Sequence, residues 1–336
     1  MKKFYYLPLA LLMFGAARCD GNKTGQQQAP TEKGLDIANL DTTIVPGNDF
    51  FMYATGGWSK ANPIPDEYGR YGSFEQLREN NQEQVKSLIE ELGKTQHEQG
   101  SVAQKIGDLY KMGMDSVKLN EDKANPIMEQ LATINAISSV DDIIKLAGEL
   151  RHYASSPFFG FYVGADDKNS TMNIVHIYQG GLGLGNRDYY VDQSEEGKAL
   201  RENYIKLIVD QFKNAGYTEN DAQKASQSVM KVENALAKAH FEKETTRIPE
   251  LNYNKFKVEQ LNDSVAKFEW KVFFDAVGAK NLKELNVSQV SPIAEAVKII
   301  QETPVEDSKA YLSWCLINTA ANYLNDDFVN TNFEFY

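Results

Sequence analysis

The chain has four histidines, His97, His152, His176 and His240, and these are the first place to look for metal or acid-base chemistry. A hydrolytic zinc centre needs two histidines one helical turn apart, a glutamate beside the first to act on metal-bound water, and a further ligand from elsewhere. His97 is followed by Glu98, but Gln99, Gly100 and Ser101 come next, so the second histidine of an HExxH pattern is missing and the glycine interrupts the helix. His152 closes a helical pattern and His176 lies in an extended one, neither with an acidic or histidine partner at ligand spacing. His240 and Glu244 stand four residues apart on an expected helix and could share a metal, although a surface pair or a hydrogen-bonded, partly buried histidine fits the same spacing. On this reading the chain encodes no zinc site.

Nucleophiles are equally sparse. There is no GxSxG, and Cys315 sits in an apolar helical run, where it reads as a small buried hydrophobe. The acidic pairs Glu90-Glu91, Asp141-Asp142 and Asp326-Asp327 read as solvated helix ends and faces. Gly181, Gly183 and Gly185 suggest a phosphate loop only until their spacing is compared with GxGxxG, which it does not match. Arg70, in RYGSF, is the one candidate binding residue: a guanidinium can meet a carboxylate through two parallel charge-assisted hydrogen bonds. Its alternative is a salt bridge to Asp66 or Glu67.

The elements that would position these residues are mostly helical. In the stretch from Pro46 to Leu77, Asn48 or Asp49 caps a short helix carrying Phe50, Phe51 and Tyr53, the Gly56-Gly57 pair stops it, and Pro63 and Pro65 force an extended passage. Ser73 and Gln76 form a capping box that starts a helix over 73–92, ended by Gly93. Apolar residues at helical spacing predict further helices over 101–112, 126–136, 140–153, 195–214, 218–244, 265–277 and 292–301. A last helix would be capped by Thr303, Pro304 and Glu306. Residues 158–180 break the pattern with two β-rich runs around Asp166-Asp167-Lys168-Asn169, a hairpin. The expected fold is therefore mainly α, a large multi-helix domain with one β-hairpin insertion, and no tandem repeat.

The formal net charge is −12, which argues against nucleic acid as a partner. Lys2 and Lys3 precede an apolar run from Phe4 to Ala17, too short for a stable membrane span but suited to an export signal over 1–18. Cys19 follows as a candidate lipid acceptor, which would make the protein a membrane-anchored lipoprotein, periplasmic or at the cell surface; Arg18 departs from the usual small residue, and plain secretion is the alternative. Residues 19–34 are small and polar, a flexible tether.

The order DFFMYATGGW, then PIP, then RYGSFEQL, followed by QGGLGL…RDYY and VENALAKAHFEKETTRIPELNYNKF, resembles the amino-terminal part of the neprilysin-like zinc metallopeptidases, including bacterial enzymes of the oligopeptidase O type. The resemblance implies a helical lobe over 73–336 that caps a thermolysin-like α+β catalytic lobe. That lobe and its HExxH zinc site would lie in a C-terminal half missing here. Residues 35–72 would pack on it. It also implies zinc as the cofactor of the full-length enzyme with none bound by this chain, short peptides as substrates cleaved on the amino side of apolar residues, and Arg70 as the residue that holds the peptide's free carboxylate. The partners would be short peptides, the chain's own catalytic lobe, and a membrane through the lipid alone. The apolar ending NTNFEFY reads as structure meant to continue, so this chain alone would be inactive. Two other readings stay open: a non-catalytic peptide-binding lipoprotein, and a structural helical module.

Overall fold

The computed structural model describes residues 34–336. The expected export signal, Cys19 and all of the tether before Gly34 lie outside the described residues. Clustering divides the chain into two compact units, one ending at Ile89 and the other running from Glu90 to Tyr336.

In the first unit the Asp49 side chain accepts the Met52 N–H at 2.9 Å and caps the helix Phe50–Ala61. That helix does not stop at Gly56-Gly57, as expected from sequence, but runs on to Asn62, just ahead of Pro63. The glycines serve close approach instead. A Cβ on Gly57 would lie 2.2 Å from the Ala38 carbonyl oxygen and one on Gly56 would lie 2.7 Å from Asp41 Cβ, so only glycine lets the turn over 37–41 rest on the helix. Asp41, buried there, accepts from Lys60 Nζ at 2.6 Å and from Thr43 Oγ1 at 2.5 Å. After an irregular passage the helix Ser73–Lys94 begins with Ser73 already helical and with the Gln76 N–H bonded to the Gly72 carbonyl; the expected capping box does not form.

The second unit is built on the helix Glu219–Ala239, capped by Thr218. Its buried face carries Ala222, Ala225, Val229, Val232, Leu236 and Ala237, and the small residues let the helices Glu195–Asn214, Val290–Glu302 and Val305–Ala320 pack against it. Ser139 and Asp142 form a capping box at the start of the helix Val140–Leu150, whose Ile143, Ile144, Leu146, Ala147 and Leu150 are buried. Gly93, read from sequence as a helix stop, lies inside its helix, where a Cβ would come within 2.8 Å of the Tyr110 ring.

The hairpin is present as strands β1 (Phe159–Asp166) and β2 (Asn169–Gln179). Two further strands, β3 (Lys255–Lys257) and β4 (Glu284–Val287), enlarge it to a four-stranded sheet in the order β1-β2-β4-β3. β4 runs parallel to β2, pairing Val175 with Leu285 and Ile177 with Val287, and antiparallel to β3. The inner side chains Phe159, Ile177, Leu285 and Val287 join the helical core through Trp270 and Phe273. Among the described residues no helix is long and apolar enough to cross a membrane.

Core truncation should separate buried from exposed positions within the second unit. Ile208→Ala removes a fully buried side chain from the helix Glu195–Asn214 and is expected to cost about 2–5 kcal/mol in urea unfolding. Val102→Ala, at a site 73% exposed, should stay within about 0.5 kcal/mol of the parent. Equal losses at the two sites would contradict the described packing.

Candidate functional site: an exposed arginine and a glycine loop pinned on a buried glutamate

Arg70 stands at the end of the irregular passage before Ser73, with its side chain 90% exposed. Its ion-pair partner is neither Asp66 nor Glu67 but Glu75, in the first turn of the following helix, at 3.2 Å from Nε. An aromatic cluster flanks it: Trp58 stacks on Tyr71 at 6.2 Å, Tyr68 packs on Tyr71 at 5.6 Å, and the Arg78 guanidinium lies over Tyr68. The Tyr71 hydroxyl donates to Glu79 at 2.7 Å. The backbone on both sides of Arg70 is thus tied down while the guanidinium remains in solvent, held only by a surface pair of small energetic worth.

In the second unit the glycine run forms a loop at the end of β2 whose shape is dictated by packing. Gly181 has φ +82°, and its carbonyl accepts from the Tyr311 hydroxyl at 2.8 Å. A Cβ on Gly183 would lie 1.8 Å from the Tyr204 hydroxyl, and its N–H donates to Glu233 Oε1 at 3.1 Å. Glu233 is 1% exposed. Its Oε2 accepts from the Tyr190 hydroxyl at 2.8 Å and its Oε1 from the Tyr204 hydroxyl at 3.1 Å; Trp314 Nε1 in turn donates to Tyr204 at 2.8 Å. Burial pushes the Glu233 carboxyl up to about 7, against the pull of these donors, which favour its ionised form.

The segment Tyr178–Leu182 separates two cavities of about 290 Å³ each. Glu233, Trp314, Cys315 and Asn318 line the first; Arg187, His240, Lys243 and Thr246 line the second. Cys315 is buried and its thiol is pushed up to about 12 by burial, so the thiolate a nucleophile requires is suppressed. Glu233, Arg187 and Lys243 escaped the sequence reading. For Glu233 the signal was there: it lies four residues after Val229 and three before Leu236, a carboxylate on the apolar face of its helix.

The histidines serve the fold. His97 Nε2 meets the Thr95 hydroxyl and the Leu92 carbonyl, and His152 Nε2 the Ala276 carbonyl at 3.2 Å. His176, 2% exposed, spans from the Ala165 carbonyl at Nε2 to the Asn286 amide at Nδ1 and stacks on Tyr162 at 4.6 Å. His240 is the residue after the helix Glu219–Ala239, so the helix expected to carry both His240 and Glu244 ends too early to do so. Among the described residues no three His, Cys, Asp or Glu side chains come together as metal ligands, so the residues present do not fit a zinc ion, and no step through zinc is assigned to them.

The carboxyl of Glu233 makes stability depend on pH. Its pKa is raised in the folded state, so its contribution is fully present below the ordinary glutamate range near 4.5 and is lost as pH rises through about 7. Urea unfolding of the parent and of Glu233→Gln between pH 4.5 and 7.5 should show the parent losing stability relative to the variant as pH rises, on the order of 3 kcal/mol, the opposing gain from the buried, neutral His240 being common to both. An unchanged slope in the variant would remove Glu233 as its source.

The sequence matches the profile of the amino-terminal portion of peptidase family M13 over residues 46–336. It is 31% identical over 314 residues to endothelin-converting enzyme 1 of Rattus norvegicus, covering 89% of this chain and 40% of that protein. To neprilysin of Mus musculus it is 26% identical over 322 residues, covering 87% of this chain and 42% of that protein. The chain thus spans about two fifths of the length of these relatives. In structure it superposes on Mycobacterium tuberculosis zinc metalloprotease Zmp1 in complex with an inhibitor with a TM-score of 0.81 at 30% identity, over 90% of this chain and 46% of that one. PepO of Lactobacillus rhamnosis shares the fold, with a TM-score of 0.69 at 15% identity over 87% of this chain and 46% of that one. By sequence and by fold together, the chain belongs to peptidase family M13, the neprilysin-like zinc metallopeptidases, and corresponds to their amino-terminal, mainly helical portion.

Proposed function

We propose that this chain is the helical lid portion of an exported zinc endopeptidase that cleaves short peptides on the amino side of apolar residues, and that Arg70 holds the substrate's free carboxylate. Family membership supports the reaction class. The observation that carries the residue assignment is the Arg70 guanidinium itself, 90% exposed and engaged by Glu75 through Nε. With Glu75, itself 12% exposed, engaged at Nε, an incoming carboxylate can join the pair through the two Nη atoms and gain a bidentate contact. Zinc would supply an activated water when bound, from ligands in the part of the enzyme that lies outside this chain.

Support for a second lobe comes from the first unit's apolar surface. Phe50, Phe51, Phe74 and Leu77 are 65–84% exposed, more large apolar surface than an isolated unit of this size leaves in water without a covering partner. The expectation that residues 35–72 pack on the catalytic lobe is consistent with that surface. Export, and anchoring through Cys19, rest on the leader-like sequence alone.

Two measurements test the proposal. Genomic sequence downstream of codon 336 should continue in frame to an HExxH; a stop codon there would overturn the catalytic reading. In the full-length enzyme, Arg70→Ala should raise KM for short peptides with a free carboxylate by about tenfold or more with kcat little changed, while amidated peptides stay unaffected. Equal effects on both peptide classes would remove Arg70 from carboxylate binding.

A further inference from the structure

We propose that the cavity bounded by Arg187, His240 and Lys243 is a binding site for a carboxylate-bearing ligand the size of a peptide's C-terminal residue. It lies in the second unit and involves none of the residues around Arg70, so it goes beyond the function proposed above and does not depend on it.

The guanidinium of Arg187 has lost most of its water without gaining a close partner. Its side chain is 24% exposed, Nε is buried with no hydrogen bond, and the nearest carboxylates are Asp188 at 3.5 Å from Nη1 and Glu242 at 3.7 Å from Nη2. Both distances exceed the roughly 2.7–2.9 Å of a charge-assisted hydrogen bond. Both carboxylates are also more than half exposed, so water competes for them. A desolvated guanidinium held this loosely gains more from an added carboxylate than a hydrated one would.

The other donors at the cavity are also uncommitted. Lys243 forms no ion pair among the described residues. Asn186 accepts the Asp188 N–H at its Oδ1, which leaves its amide N–H₂ to donate. His240 is 9% exposed, and burial pushes it down to about 4, so near neutrality it offers an uncharged ring rather than a second cation. That ring, with Tyr178, Leu182 and Phe241, adds apolar surface to a cavity whose lining is otherwise mostly polar.

This arrangement selects a carboxylate over a phosphate. One guanidinium and one ammonium face two rim carboxylates, so a monoanion is accommodated where a dianion would meet Asp188 and Glu242 in excess. A planar fork matches a planar carboxylate, and Tyr178, Leu182 and Phe241 offer apolar contact to a side chain attached to it. The cavity volume of about 290 Å³ allows one such residue.

The test uses the chain as it stands, with acetyl-Gly-Phe as the free acid, the same peptide as its amide, and inorganic phosphate, followed by calorimetry and by the imidazole proton resonances. The acid should bind and should move the resonance of His240, identified by its loss in His240→Gln, while those of His97 and His152 stay in place. The amide should bind at least about tenfold more weakly, Arg187→Gln should lose about tenfold, and Lys243→Gln, at an exposed position where folding is not at stake, about threefold. Arg70→Ala should leave the His240 response intact. The proposal is overturned if the amide binds as well as the acid, if Lys243→Gln and Arg187→Gln both bind like the parent, if phosphate binds more tightly than the acid, or if Arg70→Ala abolishes the response. Loss of carboxylate selectivity in Arg70→Ala with this site unaffected would bear on the Arg70 assignment alone.

Discussion

The second unit is organised by one buried carboxylate. Glu233 is placed by the apolar face of the helix Glu219–Ala239, and its acceptors are filled from three other parts of the chain: the Gly183 N–H, the Tyr190 hydroxyl and the Tyr204 hydroxyl. Through Tyr204 the network extends to Trp314, in a fourth segment. An unpaired carboxylate at this depth would cost several kcal/mol, so the network is stable only when complete. That condition explains Gly183, since any side chain there would displace the Tyr204 hydroxyl, and it sets the path of the loop between β2 and the helix Glu195–Asn214. Gln179, the last residue of β2 and just ahead of this loop, is held as firmly: its side chain accepts from the Phe241 N–H at 2.8 Å and donates to the Phe241 carbonyl at 3.2 Å. With the segment Tyr178–Leu182 fixed from both sides, the two cavities flanking it have walls that need no ordering when something enters, which is the condition for binding without a large entropic penalty.

Helices were legible in the sequence wherever an amphipathic period coincided with a cap whose chemistry is local. Asp49, Ser139 and Thr218 each hold a backbone N–H within three residues, and each starts a helix whose apolar spacing is visible in the sequence. Glycine was misread because two physical causes leave the same letter. A glycine that ends a helix and a glycine that lets another segment touch a helix look alike in sequence; Gly56, Gly57 and Gly93 are of the second kind. Thr303, expected to cap the last long helix, instead closes the one before it by donating its N–H to Ile299. Pro304 takes the cap position without a side-chain bond. Strands β3 and β4, three and four residues long, are too short for alternation to register, and they exist because β2 offers a free edge to β4. Of the candidate site, Arg70 could be singled out from its neighbours, but its partner could not: Glu75 follows a turn whose geometry no local rule specifies.

On the proposed assignments the two arginines would bind the same group in different ways. Arg70 is hydrated and its pair with Glu75 is worth little, so a carboxylate there adds to one weak contact, and the gain depends on what else closes over it. Arg187 has already been dehydrated by the fold, with its cost met by the packing around it, so a ligand supplies what the fold withholds. The acidic surface sharpens this difference. With a net charge of −12 the chain repels free carboxylates at long range, and only within a Debye length of about 8 Å at physiological salt does a local cation prevail. A guanidinium beside an aromatic cluster, as at Arg70, or partly buried in a cavity, as at Arg187, would meet that requirement, whereas exposed lysines paired along their helices with neighbouring carboxylates would not. On the proposed assignments, recognition of anionic groups by this chain would be confined to a few positions that the backbone fixes, and the fold, rather than the overall charge, would decide where they are.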